Sequence, residues 1–297
     1  MQATPRSRAG KPPASALRRG LAYGFIGVVA FSVTLPATRI AVASLDPVLV
    51  GLGRAVIAAI VAAVVLFATR SPFPRRALLP RLAIVAFGVI VGFPMLTAWA
   101  MQHVPASHGA IFVGLLPLAT AAAGAWLAHE RPSRWFWSWA VAGSGAVVAF
   151  AIYKGDGAVH GADLLLVAAV LAAAVGYAEG ARLSRELGGW QVISWALVLC
   201  APALAIPAAF ALGDVRDVPL QAWLAFAYVS IVSMYLGFFA WYKGLALGGI
   251  AAVGQVQLLQ PFLTLLFSAL LIGESLDVPT FIAAGVVIAS IALGRRR

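Results

Sequence analysis

Charged side chains are scarce in this sequence, and their scarcity excludes a soluble globular protein. Asp, Glu, Lys and Arg together make up 10% of the 297 residues, whereas soluble domains contain roughly 25%. Hydrophobic residues reach 62%, and the mean hydropathy is +0.96. Such a composition is typical of a chain that crosses a lipid bilayer many times. The net charge of +11 does not predict a nucleic-acid partner, because the basic residues lie between apolar runs and form no patch.

Cysteine is nearly absent as well. The one cysteine, Cys200, lies within an apolar run, so an internal disulfide and a cysteine-built metal site are both excluded. Motifs of common enzyme classes are also missing. His129-Glu130 is followed by Ser133 where a zinc protease helix needs histidine, and no Gly-x-Ser-x-Gly elbow or phosphate-binding loop occurs. We therefore predict no cofactor, no metal and no enzymatic activity.

Apolar runs fill most of the chain. A spanning helix needs about 20 mostly apolar residues to cross ~30 Å of hydrocarbon. Short connections marked by Pro or Gly separate the runs, so no soluble domain is inserted. Residues 1–19, rich in Arg, Pro and Ser, are expected to form a disordered cytoplasmic tail. The ten predicted spans are 20–43, 47–69, 79–101, 105–128, 134–152, 161–182, 190–212, 220–243, 249–272 and 278–294.

The distribution of basic residues predicts the orientation of the chain. Lys and Arg are enriched on the cytoplasmic side of membrane proteins. With the N-terminus in the cytoplasm, 17 of the 21 Lys and Arg residues fall in the tail, in cytoplasmic loops or at cytoplasmic span ends. Lys154 and Arg216 fall outside, and Arg39 and Arg54 lie within spans. We therefore predict a multi-pass protein of the inner or plasma membrane with both termini cytoplasmic.

The sequence repeats itself at an offset of 144 residues. At this offset Pro117 matches Pro261 and Glu130 matches Glu274. The offset matches the fourth span to the ninth, and hence the first five spans to the last five. An odd number of spans per copy gives the two copies opposite orientations, an architecture found in secondary transporters. We therefore predict an all-α membrane protein with ten transmembrane helices as two inverted five-helix repeats, residues 20–152 and 161–297.

Short motifs accompany this arrangement: the two segments that run from a proline to a glutamate, Pro117/Glu130 and Pro261/Glu274, and also Phe31-Ser32, Arg39, Asp46-Pro47, Arg54, Gly143 and Gly285. Over about residues 20–294, the sequence resembles the EamA-type branch of the drug/metabolite transporter superfamily. The resemblance implies a secondary transporter, often an exporter of amino acids or other metabolites, with its cavity between helices 1, 3, 4, 6, 8 and 9. The sequence departs from the family in helix 6, where Ala173-Ala174-Val175-Gly176-Tyr177 replaces an aromatic residue such as Trp.

The ninth span carries a line of polar side chains. On an ideal helix Gln257, Gln260, Thr264 and Ser268 share one face, and the fourth span has no matching glutamines. An unpaired amide in hydrocarbon costs several kcal/mol, so the stripe must face the protein interior or a water-filled cavity. We predict that Gln257, Gln260 and Thr264 bind the substrate. Hydrogen bonding between helices is the alternative.

Two prolines and two arginines within spans are further candidates. Pro117 and Pro261 each remove a backbone hydrogen bond, and we predict that they act as paired hinges. An arginine inside a span costs about 3 kcal/mol or more, so each needs a partner or a route to water. We expect Arg39 to be a structural anchor. For the deeper Arg54, pairing with carbonyl groups and binding of a substrate carboxylate are the two interpretations.

Two aromatic side chains complete the predicted binding site. Trp99 shares a face with Gly88 and Gly92, which favour close helix contact. Its ring is therefore expected to point inward, for packing or for stacking on the substrate. Tyr235 is the middle member of three tyrosines spaced seven residues apart on helix 8. Their common face predicts an aromatic wall of the cavity, and anchoring at the membrane interface is the alternative for Tyr228 and Tyr242.

Titratable residues near the span ends receive structural interpretations. Glu179 and Arg182 have the spacing of a helical ion pair, and a proton-coupling carboxylate at Glu179 is the alternative. His103 and His108 are expected to be solvated or to cap a helix, with proton coupling as the alternative. Glu274, like its counterpart in the first repeat, is expected to hold the start of the next helix.

The inverted repeat predicts a secondary transporter that works by alternating access, and the family resemblance implies that it exports small metabolites such as amino acids. Its partners are then a small-molecule substrate and the lipid bilayer. Proton coupling, uniport and the oligomeric state stay open at this point. A channel or a structural membrane protein is the main alternative, and the inverted repeat favours a carrier over both.

Overall fold

Helices joined by short loops make up the structure, a computed structural model that describes residues 14–128, 134–154, 160–213 and 216–294. No strand occurs within these ranges. We number the main helices in chain order: α1 Ala14–Val42, α2 Leu49–Ala68, α3 Arg76–His103, α4 Ala106–Leu127, α5 Arg134–Lys154, α6 Gly161–Leu187, α7 Gly189–Phe210, α8 Leu220–Gly248, α9 Gln260–Ile272 and α10 Val278–Gly294.

Seven of these helices, α1 to α4 and α6 to α8, are long and apolar enough to cross a membrane. The apolar stretches Val256–Ile272 and Val278–Ser290 are shorter. Large apolar side chains such as Phe67 and Phe210 are exposed on the outside of the bundle, where lipid is their natural solvent. The chain is therefore an all-helical, multi-pass membrane protein.

The first helix begins earlier than the sequence predicts. Residues 14–19, which we expected to belong to a disordered tail, form the first turns of α1. The prediction for the rest of the tail, the expected role of Glu130 and the three C-terminal arginines lie outside the described residues.

Several helices depart from ideal α-helical geometry in mid-span. Segments with π-helical hydrogen bonding occur in α2, α3 and α8, at Leu49–Gly53, Ala86–Gly92 and Tyr228–Leu236. A 3₁₀ segment, Gln255–Leu259, leads from the short helix Ile250–Gly254 into α9. One extra residue in a turn rotates the following side chains by about 100° relative to an uninterrupted α-helix. Side chains that an uninterrupted α-helix would place on one face therefore point in different directions on either side of such a segment.

Small residues bring the helices around the centre into backbone contact. A methyl group added at Gly20 of α1 would lie 2.8 Å from the Cα atom of Gly248 in α8. Likewise, one added at Gly88 of α3 would lie 2.5 Å from the carbonyl oxygen of Ala172 in α6. Such contacts are typical of helix pairs in membranes, where packing rather than the hydrophobic effect holds helices together. The predicted packing role of Gly88 and Gly92 is thereby confirmed.

Candidate functional site

A small cavity lies at the centre of the bundle. It is enclosed by α1, α3, α4, α6, α8 and α9, with α2 adding one side chain, and we call it the central cavity. Its volume is about 20 Å³, which is room for about one water molecule. The polar residues in its wall are Thr34, Arg54, Tyr177, Ser233 and Gln260.

Arg54 is the charged member of this wall. It follows the π-helical start of α2, and its side chain is 1% exposed. Its Nε and Nη1 atoms have no hydrogen-bond partner within the described residues. Since a guanidinium stays protonated in proteins, the cavity wall holds a positive charge that this part of the chain does not neutralise.

The polar stripe, which begins just before α9 and continues into it, is buried. This agrees with the prediction that polar side chains avoid hydrocarbon. Gln257, Gln260, Thr264 and Ser268 are all buried. Gln260 lines the central cavity, and its Oε1 atom has no partner in the described part of the chain. Gln257 lies in the 3₁₀ segment, outside the cavity wall, and both of its amide atoms lack partners within the described chain. Of the predicted polar ligands, the structure places Gln260 alone beside Arg54 in the cavity wall.

Aromatic rings from three helices form one side of the central cavity. Phe31 of α1 packs on Phe238 of α8 and Tyr177 of α6, with ring centroids 5.0 Å and 6.3 Å away. Beside them, the hydroxyl groups of Thr34 and Ser233 are hydrogen-bonded to each other at 2.7 Å. The sequence analysis did not select these residues as ligands. Only Tyr177 could have been suspected from the sequence, because it ends the helix 6 segment that departs from the family pattern.

Trp99 does not face the interior, so the prediction of an inward ring is wrong. Its side chain is 39% exposed, and it is not part of the central cavity wall. The prediction extrapolated a helix face from Gly88 and Gly92 through an uninterrupted α-helix. The π-helical segment Ala86–Gly92 turns the rest of α3 away from that face.

The three tyrosines of α8 do not form a cavity wall either. Tyr235 is buried against α7, where its hydroxyl group lies 2.9 Å from Oγ of Ser194. Tyr228 donates to a carbonyl group of α1, and Tyr242 donates to the carbonyl group of Gly176 in α6. The π-helical segment Tyr228–Leu236 separates their directions. Tyr235 therefore holds helices together at this site, and the predicted common face is wrong.

The helices that carry Pro117 and Pro261 are both interrupted immediately before the proline. In α4 the helical pattern gives way to a turn at Gly114 and Leu115, and Pro117 lies in the first turn of the part that follows. Pro261 lies in the first turn of α9, directly after the 3₁₀ segment. A proline is tolerated in a first turn because its missing N–H group has no partner to lose.

A larger polar cleft of about 1040 Å³ opens at one end of the bundle, and we call it the His108 cleft. Its wall includes His103, His108, Asp163, Glu274 and Asp277. His108 is buried, and its Nε2 atom lies 2.6 Å from Oδ1 of Asp163 at the start of α6. This contact joins α4 to α6. His108 is therefore neither solvated nor a helix cap, which corrects the structural interpretation of this residue.

Glu274 ties the end of α9 to the start of α4. Its two carboxylate oxygens accept hydrogen bonds from the backbone N–H groups of Ala106 and Ser107, at 2.8 Å and 2.9 Å. Gly273 adopts a left-handed conformation, with φ 69°, which ends α9 and redirects the chain. An anion at a helix N-terminus is favoured by the free N–H groups and the helix dipole. Glu274 thus holds a helix start, but that of α4 rather than that of the next helix.

A charged cluster joins α3 to α6 at the opposite end of the bundle. The predicted pair of Glu179 and Arg182 is confirmed, at 2.8 Å. Arg81 of α3 binds Glu179 as well, and its Nη1 atom lies 2.6 Å from Oε1 of Glu186. We call these four residues the Arg81 cluster.

Arg39 of α1 donates a hydrogen bond to the carbonyl group of Met101 in α3. This contact supports its expected role as an anchor.

The described helices thus surround a partly polar cavity near the middle of the bundle, the depth at which transporters hold their substrates. The sequence pattern of the EamA-like transporter family matches this chain twice, over residues 18–152 and 160–294, and the chain belongs to that family. Membership in a transporter family points to transport rather than catalysis.

Comparison with individual proteins gives the same picture. The "Uncharacterized transporter YdeK" of Bacillus subtilis (strain 168) is 47% identical over 279 residues, which cover 93% of this chain and 97% of that protein. A solved structure, described as "Crystal structure of protein", superposes with a TM-score of 0.69 and covers 93% of this chain and 98% of its own. Its sequence identity is 17%, so it supports the fold alone.

Proposed function

We propose that this protein is a secondary transporter of the inner or plasma membrane, which exports small metabolites such as amino acids by alternating access. The central cavity is the substrate site in this proposal. The observation that carries it is the pair of unpartnered polar groups, on Arg54 and Gln260, enclosed in an apolar bundle. Polar groups without partners are expensive inside a membrane protein and mark functional sites there.

The size of the cavity supports a closed state of such a carrier. Ligand pockets measure roughly 300–1,000 Å³, whereas the central cavity measures about 20 Å³. The surrounding helices must therefore separate before a metabolite enters. In this proposal the His108 cleft, which opens at one end of the bundle, supplies the approach from that side.

Polar contacts at both ends supply the two gates of the proposal. At one end Glu274 binds the start of α4 and His108 binds Asp163. At the other end the Arg81 cluster binds α3 to α6. Each contact joins a helix of the first predicted repeat to one of the second. Opening one set while the other holds would expose the central cavity to one side at a time.

The proposal includes the arrangement of ten helices as two inverted repeats, with Pro117 and Pro261 as paired hinges. Matched interruptions of α4 and α9 before these prolines support it. The distribution of basic residues supports an orientation in which the His108 cleft faces outward and the Arg81 cluster faces the cytoplasm.

Counterflow in proteoliposomes tests the proposal. Vesicles containing the purified protein are loaded with an unlabelled amino acid, and uptake of the same labelled amino acid is followed across a panel of amino acids. We expect saturable uptake that internal substrate stimulates, because a carrier exchanges its sites between the two sides. Uptake that rises linearly with concentration and ignores the internal solute would indicate a channel and contradict the proposal.

A matched pair of variants on α6 locates the path. Ala173 lines the central cavity, whereas Ala168 is exposed on the outside of the same helix. Ala173→Phe should block counterflow and Ala168→Phe should leave it intact, provided that both proteins elute as the parent does. Equal counterflow by the two variants would exclude the central cavity as the route.

A further inference from the structure

We propose that the transported solute carries a carboxylate on an apolar body, and that Arg54 binds this carboxylate in the central cavity. The inference rests on the proposed function and narrows its substrate class. It starts from Arg54, whose Nε and Nη1 atoms find no hydrogen-bond partner among the described residues although the residue is 1% exposed. A buried guanidinium in a membrane protein is stable only beside an anion, a set of carbonyl groups or water.

The acidic residues of the described chain do not serve Arg54. Most of them are held by other partners, and Asp217 is exposed in a loop. The engaged carboxylates are Asp46 with the N–H of Val48, Asp163 with His108, Glu179 and Glu186 with Arg81, Glu274 with α4, and Asp277 with Thr280. Within this part of the protein no carboxylate neutralises Arg54, and an anionic ligand would supply the counter-charge.

The remaining polar groups of the cavity fit the rest of such a ligand. The Oε1 atom of Gln260 is an unpartnered acceptor, which suits an amino or hydroxyl group near the carboxylate. None of the described acidic side chains lines the cavity, so an amine alone finds no opposite charge among them. Recognition of charge in this site therefore favours carboxylates, including zwitterionic amino acids, over simple amines.

The aromatic side of the cavity indicates what else the solute carries. The rings of Phe31, Tyr177 and Phe238 present apolar faces. An apolar or aromatic body gains contact area against such rings. A small amphipathic carboxylate matches both sides of the cavity.

The mode of transport follows from the same charge. A carboxylate neutralises Arg54, and an arginine without a counter-charge is costly in the middle of a membrane. The loaded carrier should therefore reorient faster than the unloaded one. We expect exchange of carboxylates to be faster than their net efflux.

Four probes with the same phenyl ring test the inference: phenylalanine, 3-phenylpropionate, phenylalaninamide and phenethylamine. The first two carry a carboxylate and the last two do not. Thermal stabilisation of the purified protein measures binding by mass action. We expect the two carboxylates to stabilise the parent and the amide and amine to leave it unchanged.

Substitutions of Arg54 make the test residue-specific. Arg54→Gln should weaken carboxylate binding by about 10- to 100-fold, the usual loss for a charge-assisted hydrogen bond. Arg54→Lys should retain part of the binding, because it keeps the charge without the planar fork. Arg185→Gln is the matched control, since Arg185 is exposed on α6 and removing it also changes the net charge by one. It should bind the probes as the parent does.

The outcomes separate this inference from the proposed function. If the amine or the amide stabilises the parent as well as the carboxylates do, or if none of the four probes stabilises it, Arg54 is not a carboxylate site. Unchanged carboxylate binding by Arg54→Gln would have the same meaning. If Arg54→Gln fails to fold, the inference is judged by whether the parent and Arg54→Lys bind the carboxylate probes more tightly than the amide and the amine. In each of these cases, counterflow that Ala173→Phe blocks would still support transport through the cavity.

Discussion

Gly114 and Pro261 lie against each other where the two interrupted helices, α4 and α9, pack together. A methyl group added at Gly114 would lie 3.2 Å from Cγ of Pro261 and 3.0 Å from Cγ1 of Val287. The absence of a side chain at Gly114 therefore allows the interruption in one helix to rest on the proline of the other. The two interruptions form a single contact near the central cavity, whose wall includes Val113 and Gln260.

Gly114→Ala should destabilise this contact. The added methyl group meets the ring of Pro261, the side chain of Val287 and the carbonyl oxygen of Ile111, which is 2.9 Å away. Overpacking of this kind typically costs about 1–3 kcal/mol, and thermal unfolding in detergent measures it. Gly285→Ala in α10 is the control, because no atom of the described residues lies within 4 Å of its added methyl group. We expect the control to keep or raise the melting temperature, and equal effects of the two substitutions would contradict the contact.

Pro117→Ala and Pro261→Ala should each change the balance between access states. Alanine restores a backbone N–H group, which allows the interrupted helix to become continuous. Cysteine labelling measures the effect in a Cys200→Ala background, with Ser275→Cys reporting on the His108 cleft that it lines. The labelling rate in each proline variant should differ from that in the parent while the protein stays folded. Unchanged rates in both variants would show that the prolines are not hinges.

Gln257 and Gln260 should respond differently to the same substitution by leucine. Gln257 is buried with both amide atoms unpartnered and lies outside the cavity wall, so leucine removes a desolvation penalty of about 1–3 kcal/mol. Gln257→Leu should therefore raise the melting temperature and leave the affinity for 3-phenylpropionate unchanged. Gln260→Leu should weaken binding of phenylalanine by about 1–2 kcal/mol, the cost of a lost polar contact. A lowered melting temperature with unchanged affinity in Gln260→Leu would indicate helix-to-helix bonding instead.

His108→Phe should destabilise the protein, whereas His103→Phe should not. His108 is buried beside Asp163, and its loss leaves the Oδ1 atom of that carboxylate without its partner. Leaving a buried polar group unsatisfied costs about 1–3 kcal/mol. His103 is exposed in the same cleft and carries the same ring, so its substitution should change stability by less than about 0.5 kcal/mol. Equal melting temperatures for the two variants would show that the contact between α4 and α6 contributes nothing to stability.

The predicted orientation can be tested with two further cysteines in the Cys200→Ala background. Asp217→Cys, in the exposed loop before α8, should react with an impermeant thiol reagent added outside intact cells. Ser71→Cys, in the loop between α2 and α3, should react only after permeabilisation. The opposite pattern would reverse the orientation and with it the direction that we assign to the His108 cleft.

The sequence by itself determined the class of protein, an all-helical chain that crosses the membrane several times. Few charges and long apolar runs leave a multi-pass helical bundle as the structure that satisfies every backbone polar group in lipid. The same reasoning placed Gln257, Gln260, Thr264 and Ser268 in the interior, where the structure has them. The pair of Glu179 and Arg182 followed from helical spacing alone, because their distance in the chain fixes their distance in space.

Tertiary structure decided the site. Thr34 and Ser233 are 199 residues apart, Arg81 and Glu179 are 98 apart, and His108 and Asp163 are 55 apart. No local periodicity brings such pairs together. The directions of Trp99 and Tyr235 depend on π-helical turns whose hydrogen bonds shift by one residue. Helix faces could be derived from the sequence only where the helix is regular, and contacts between helices depend on how small residues let those helices approach.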